Sequence, residues 1–294
     1  MTGEPGQPDG VVYRIEHETR YVHTGRVSTS QHVACLTPRS LPRQRVRSHE
    51  VIVDPRPANE SRRIDCYGNV EDQFTILTPY LELRVVSHSE VEVLPREAID
   101  AGASPAWEDV RDDGAYNDAS EFRYPSPYVE PAPELADFAR EAFTDRRPLV
   151  PAAVALMHRI HDEFQFDPGA TSITTPATRV LEERHGVCQD FAHLQIACLR
   201  SLGLPARYVS GYLLTDPPPG QPRLVGADAS HAWLSVWCPR SGWVDLDPTN
   251  AVLPDTRHVT VAWGRDYGDV SPLRGVVLGG GRHELYVGVS VVPL

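Results

Sequence analysis

The sequence predicts an α+β protein, with an N-terminal antiparallel β-domain over residues 11–95 and a second domain over residues 131–294 that opens with helices and ends with strands. Three observations carry this. Short segments rich in β-branched and aromatic residues recur from Val11 to about Leu94, the composition of half-buried strands. Between residues 96 and 130 the chain turns to Asp, Glu, Ala, Gly and Pro, an acidic, proline-rich linker by composition. Apolar residues then recur at helical spacing before the strand pattern returns.

In chain order, VYRIEHETRY, VACLTP, RVRSHEVIV, QFTIL and LELRVVSHSEVEV read as antiparallel strands of a small sandwich or open barrel. Tyr67-Gly68-Asn69 has the residues of a hairpin turn. Pro133 suits the first turn of a helix in which Leu135, Phe138, Ala139 and Ala142 share a face. A second helix, about Val150 to Phe164, aligns Val154, Met157 and Ile160. A third is expected with Thr175 as N-cap, Pro176 at its first position and Gly186 just past its end. CQDFAHLQIACLRSLG reads as an apolar helix that Gly203 and Pro205 stop. ARYVSGYLL, SHAWLSVW, GWVDLD, HVTVAW and ELYVGVSVV read as strands of the second domain. Gly279-Gly280-Gly281 lacks the strand-to-helix setting of a phosphate loop and reads as a turn.

The 294 residues carry 40 acidic side chains against 28 cations, a net charge of −12. Every cation is an arginine; the chain has no lysine. That balance argues against nucleic-acid binding, which needs clustered positive charge against phosphates. No run approaches the apolar length of a membrane span, and MTGEPGQPDG has neither the basic nor the apolar part of a leader. A cytoplasmic protein with no membrane association is expected. Five scattered cysteines suit free thiols better than a disulfide framework.

One of those thiols stands out. Cys188 falls at the first turn of its helix, where unpaired N–H groups and the helix dipole favour a thiolate. Cys198, about three turns deeper, reads as a small core residue. A thiolate nucleophile needs a base, and the base an orienting group. His193 lies about 140° around the helix from Cys188 and faces away, and His185 sits in the last turn of the preceding helix. SHAWLSVWCPRSGWVDLDPTN offers a better base. As a hairpin centred on Pro239, it sets His231 opposite Asp247, Trp233 opposite Asp245 and Ser235 opposite Trp243. Directly opposed side chains share a face roughly 5 Å apart, so imidazole and carboxylate can pair. An even-length turn would put them on opposite faces.

At these residues the chain resembles the transglutaminase-like superfamily, in particular its bacterial members with an extra N-terminal β-domain. The matching blocks are Gly186-Val187-Cys188-Gln189-Asp190, His231-Ala232-Trp233 and Asp247-Pro248-Thr249, in the family's order. ARYVSGY, GRDYGDVSP and YRIEHETRY also look like the family, so the resemblance covers most of residues 11–292. It implies a papain-like core, a helix bearing the cysteine packed on an antiparallel sheet bearing the other two residues. It further implies Cys188 as nucleophile, His231 as general base and then acid, and Asp247 as orienting carboxylate. The backbone N–H of Cys188 would help hold the oxyanion. Asp190, although part of the motif, has a sufficient role as a partner of the helix dipole.

The expected reaction is acyl transfer through a thioester on a carboxamide or peptide bond of a protein or peptide substrate, with water the preferred acceptor. Amine transfer is the alternative, and the same three residues serve both. No cofactor and no metal are expected, and a homo-oligomer is left open. Two other classes compete. His158-x-x-His161 and His185-x-x-Cys188 have zinc-like spacing, and a catalytically silent binding protein could keep the same fold.

Overall fold

The computed structural model describes residues 10–113, 118–169, 171–215 and 230–294. It begins with β1 (Val11–Ala34), 24 residues long, followed by β2 (Gln44–Asp54), β3 (Asn59–Ile64), β4 (Val70–Ile76) and β5 (Tyr80–Val93). Alternation along β1 buries Tyr13, Ile15, His17 and Thr19 on one face, the period-two pattern the sequence shows. β1 is long enough to pair antiparallel with β5 along its first half and with β4 along its last residues. The resulting order is β2-β5-β1-β4-β3. In the turn between β3 and β4, Asp65 accepts the N–H groups of Tyr67 and Asn69 at 2.8 Å each. Asn69 then clasps the backbone of Trp263 in the second domain, accepting its N–H at 3.0 Å and donating to its carbonyl at 2.8 Å.

The segment expected as a linker is packed. It contains α1 (Trp107–Asp112) and two short 3₁₀ turns, it buries Trp107, Val110 and Val129 in the main core, and Phe122 is buried as well. Residues 114–117 of this stretch lie outside the described residues. Its average composition is acidic and loop-like, but a few anchors decide its state. The Trp107 indole donates to the Thr144 carbonyl at 3.0 Å, and Phe122 meets Trp243 edge-on at 5.2 Å.

The second domain continues with α2 (Pro133–Arg140), α3 (Leu149–Glu163), β6 (Gln165–Phe166), α4 (Ala177–Glu183), β7 (His185–Gly186) and α5 (Cys188–Ser201). Its strands are β8 (Ala206–Leu213), β9 (Ser230–Cys238), β10 (Gly242–Leu246) and β11 (His258–Gly264), followed by the short α6 (Tyr267–Val270). The sheet runs β10-β9-β8-β11. Helix α5 is buried from Phe191 to Arg200, as befits a central helix apolar on nearly every side. Leu234, Val236 and Cys238 of β9, with Ala206 and Tyr208 of β8, share one core with the apolar face of α5. This is the α+β, papain-like arrangement of a cysteine helix on an antiparallel sheet.

Two boundaries differ from expectation. Helix α4 takes Pro176 as its N-cap and starts at Ala177, while the Thr175 hydroxyl accepts the Ser172 N–H at 2.9 Å. It ends on Arg184 in the left-handed region, φ 57°, which frees Gly186 for a different task described below. A larger correction concerns the last strands, β12 (Leu273–Gly279) and β13 (His283–Pro293). The sequence assigns them to the second domain, yet both pair antiparallel with β1 and complete a seven-stranded sheet with the N-terminal strands. Alternation such as ELYVGVSVV marks a strand without naming its partner. Among the described residues, no helix is long and apolar enough to cross a membrane.

Candidate active site

Cys188 is the first residue of α5 and is half-buried. The Asp190 carboxylate turns back to the helix start, where it accepts the Val187 N–H at 2.8 Å and the Thr171 hydroxyl at 2.6 Å. Burial pushes this carboxyl up, against the pull of those two hydrogen bonds. A Cβ on Gly186 would stand 2.8 Å from the Asp190 Cβ and 2.9 Å from its Oδ2. The Gly-x-Cys-x-Asp spacing therefore has a steric cause: glycine vacates the space that the capping carboxylate fills. β7 fixes the approach, because His185 and Gly186 pair with Gln165 and Phe166. Gly186→Ala is expected to cost about 1–3 kcal/mol through overpacking, read as a lowered urea midpoint. Gly102→Ala, where the nearest atom to the new Cβ is 3.6 Å away, should leave that midpoint nearly unchanged.

The β9–β10 hairpin turns through Pro239, Arg240 and Ser241 and pairs Cys238 with Gly242, Ser235 with Asp245 and Leu234 with Leu246. Its centre is Arg240, not Pro239, so the register expected from the sequence is corrected by two residues. Asp247 falls level with Trp233 and diagonal to His231. An even shift preserves the face, so imidazole and carboxylate still meet. His231 Nε2 donates to Asp247 Oδ2 at 2.8 Å.

Asp247 is fully buried and has no free valence for solvent. Its Oδ2 also accepts His258 Nε2 at 3.1 Å and Asn250 Nδ2 at 2.8 Å, while Oδ1 accepts the N–H groups of Thr249 and Asn250 at 3.0 and 3.3 Å. Burial alone would raise its pKa, but the bonds from His231, His258 and Asn250 hold the carboxyl well below the usual range. For His231, burial opposes the charged ring. The hydrogen bonds to Asp247 and to Cys188, with the charge of Asp247, outweigh it and raise the imidazole above its ordinary value. Since Nε2 is held by Asp247, Nδ1 is the nitrogen left for the thiol.

Trp233 seats both imidazoles. Its indole is fully buried, 6.0 Å from the His231 ring and 5.3 Å edge-on from that of His258. The contact passes over Gly211 on the intervening strand, where a Cβ would lie 2.5 Å from the tryptophan ring and 2.1 Å from the Val259 carbonyl oxygen. His258 and Asn250 escaped the sequence reading. Asn250 carries a local signal, an Asx turn through Asp247-Pro248-Thr249-Asn250. His258 carries none, because only the sheet brings β11 near β9.

The other candidates fall elsewhere. His193 is buried, accepts the Tyr267 N–H at 3.1 Å and is pushed down to about 4 by burial. His185 lies just beyond α4 in β7, 3.6 Å from Glu183. Cys198 is fully buried, and burial drives its thiol far up. Of the zinc-like pairs, His158 is exposed and His161 is engaged with the Thr249 carbonyl at 3.0 Å. The one metal-like group of three among the described residues is His231, Asp247 and His258, whose nitrogens converge on a single carboxylate oxygen at hydrogen-bond distances.

Comparison with known proteins adds sequence relatives to this geometry. Residues 136–248 match the transglutaminase-like superfamily, and residues 13–92 match the bacterial transglutaminase-like N-terminal region. An uncharacterized protein of Mycobacterium tuberculosis is 43% identical over 290 residues, 96% of this chain and 92% of its own length. A protein-glutamine gamma-glutamyltransferase of Pseudomonas aeruginosa is 35% identical over 129 residues, 41% of this chain but 18% of that protein. A solved structure of a candidate cysteine protease from Cytophaga hutchinsonii has the same fold, with a TM-score of 0.77 at 20% identity, covering 98% of this chain and 92% of that one. Both halves of the chain thus lead to one conclusion: it belongs to the transglutaminase-like superfamily.

Proposed function

We propose that the protein is a thiol acyl-transfer enzyme acting on a carboxamide or peptide bond. The observation that carries this is the line from Cys188 through His231 to a buried, fully bonded Asp247. In the proposed reaction the Cys188 sulfur forms a bond to the carbonyl carbon, and His231 holds the proton taken from the thiol. As the carbon–nitrogen bond breaks, His231 passes that proton to the departing amine. The resulting thioester is opened by water, with His231 again taking and returning a proton. Asp247 fixes the ring orientation and favours the imidazolium throughout. The Cys188 backbone N–H, at the head of α5, is a natural donor to the oxyanion.

Water is the proposed acceptor and a protein or peptide the proposed substrate. Amine transfer is the second reading, favoured by the relative named as a protein-glutamine gamma-glutamyltransferase. The two separate in one assay: a glutamine-containing peptide is incubated with and without a small primary amine, and the products are weighed by mass spectrometry. Hydrolysis gives glutamate or a cleaved peptide under both conditions. An amine adduct replacing those products would favour transfer. No acyl-enzyme and no product with any peptide or amide would sink both readings in favour of a silent fold. Because the chain contains no lysine, isopeptide-linked multimers of the protein cannot arise through its own side-chain amines.

A further inference from the structure

A second recess lies between the two halves of the molecule. It is a groove of about 1030 Å³, walled by Leu41–Arg43 and Leu94–Asp100 from the N-terminal side and by β8, β10 and β11 from the second domain. Its lining includes Arg43, Arg96, Arg207, Trp243 and Trp263. Ser235, which pairs with Arg207 across the sheet, is four residues beyond His231, about 13 Å along β9. The fully buried Trp233 stands between them. The groove is therefore separate from the Cys188 site.

Its arginines lack the carboxylate partners that many others in this acidic chain have. Arg62, Arg63, Arg84, Arg146 and Arg265, for example, all sit in carboxylate pairs. The three groove arginines make no ion pair among the described residues. Arg207 is 8% exposed, and its guanidinium lies 4.3 Å from the Trp243 ring and 3.8 Å from that of Trp263. Among the described residues only its Nε has a hydrogen-bond partner, Ser235 Oγ at 3.3 Å. Arg43 donates from Nη2 to the Pro254 carbonyl at 3.2 Å. Arg96 has no hydrogen-bond acceptor among the described residues; burial and the charge of Arg43 push its pKa down, against the pull of Asp245 and Asp255. Asp245 occupies one side, its Oδ1 accepting the Ser235 hydroxyl, while Glu97 and Asp100 stand exposed at the rim. Inside the groove three guanidinium groups thus face the single carboxylate of Asp245, and partly desolvated guanidinium donors left without acceptors are costly unless a further anion completes them.

We infer that this groove is a binding site for a small oxyanion, a carboxylate or phosphate group, held by Arg96 and Arg207 against the two indoles. Planar guanidinium forks suit both chemistries. A ligand there contacts both halves of the molecule at once, so it stabilises their docking by mass action.

The test uses the full chain carrying Cys188→Ala, so the outcome does not depend on the proposed chemistry. Tryptophan fluorescence and thermal midpoint are followed during titration with inorganic phosphate, with acetyl-tetra-alanine bearing a free carboxylate, and with the same peptide as its amide. Saturable binding of the phosphate or the free-acid peptide, weakened about tenfold or more by Arg96→Gln, supports the site and identifies which anion it takes. Equal binding of the amide and the acid overturns it, as does unchanged binding in Arg96→Gln. A flat response to all three probes up to about 10 mM, the weak end of measurable affinity, overturns it as well. Arg96 lies outside the packed core, so that variant keeps the test independent of whether an Arg207 variant folds.

Discussion

Replacing Cys188 with alanine should abolish acyl-enzyme formation and reduce turnover of any amide substrate on the order of 10⁵-fold or more, the scale seen when a covalent nucleophile is removed. The effect should be chemical and not structural. Cys188 is half-buried at the head of α5, and the helix start is held by Asp190 and Gly186, not by the thiol. The unfolding midpoint of Cys188→Ala should accordingly stay close to that of the parent. Cys66 supplies the control, because it is exposed and remote in sequence from the site; Cys66→Ala should keep full turnover. Intact-mass measurement after incubation with an amide substrate should show the acyl adduct in the parent and in Cys66→Ala, and none in Cys188→Ala. An adduct persisting without Cys188 would overturn the assignment.

The second large effect should follow from Asp247→Asn. Turnover should fall on the order of 10³–10⁴-fold, the cost of losing the carboxylate that fixes a catalytic imidazole. Unlike the cysteine change, this one should also destabilise the fold. Three donors, from His231, His258 and Asn250, converge on Oδ2 in a site closed to solvent. An amide there removes the buried charge and turns a donor toward one of them, a change worth about 3–5 kcal/mol when a buried pair is broken.

The pH dependence gives a sharper readout. The Asp247 pKa is depressed in the folded state, so its contribution to stability is present above the unfolded carboxylate value and is lost as pH falls through the folded one. The His231 pKa is raised, so its contribution is complete below the unfolded imidazole value and is lost as pH rises through the folded one. With unfolded values of about 3.9 and about 6.5, the stabilisation from the pair is complete between about pH 4 and pH 6.5 and fades on the alkaline side. The difference in urea midpoint between parent and Asp247→Asn should therefore be larger at pH 5.5 than at pH 9. In proton NMR the His231 ring should titrate at lower pH in the variant, where burial acts on it with no neighbouring carboxylate. Identical His231 titrations in both proteins would mean that Asp247 does not set the state of the imidazole.

How much of this was legible depended on whether a feature is written locally. Cys188 and Asp190 could be placed because a helix start, a glycine and a carboxylate three residues in form one contiguous signal. His231 and Asp247 could be joined because strand periodicity fixes parity. The three-residue turn around Arg240 moved the register by two positions and left that parity intact. His258 could not be found, since its approach to Asp247 depends on how β11, β8 and β9 lie side by side and on the missing side chain at Gly211. The packed state of residues 96–130 was hidden because a few aromatic anchors outweigh an acidic average. The partners of β12 and β13 were hidden because alternation is the same signal in every antiparallel sheet.

The pairing of β1 with both β12 and β13 has a consequence for biosynthesis. β1 leaves the ribosome well before the two strands that cover its outer edge, which follow only after the rest of the second domain. During that interval Val11–Ala34 offers an open hydrogen-bonding edge, the kind of template that recruits wrong partners. Closing the sheet is a pairing of strands separated in sequence by the whole second domain, the kind of long-range contact that forms slowly. A polypeptide released before β13 would hold the residues of the candidate active site and still expose the edge on which the N-terminal sheet depends.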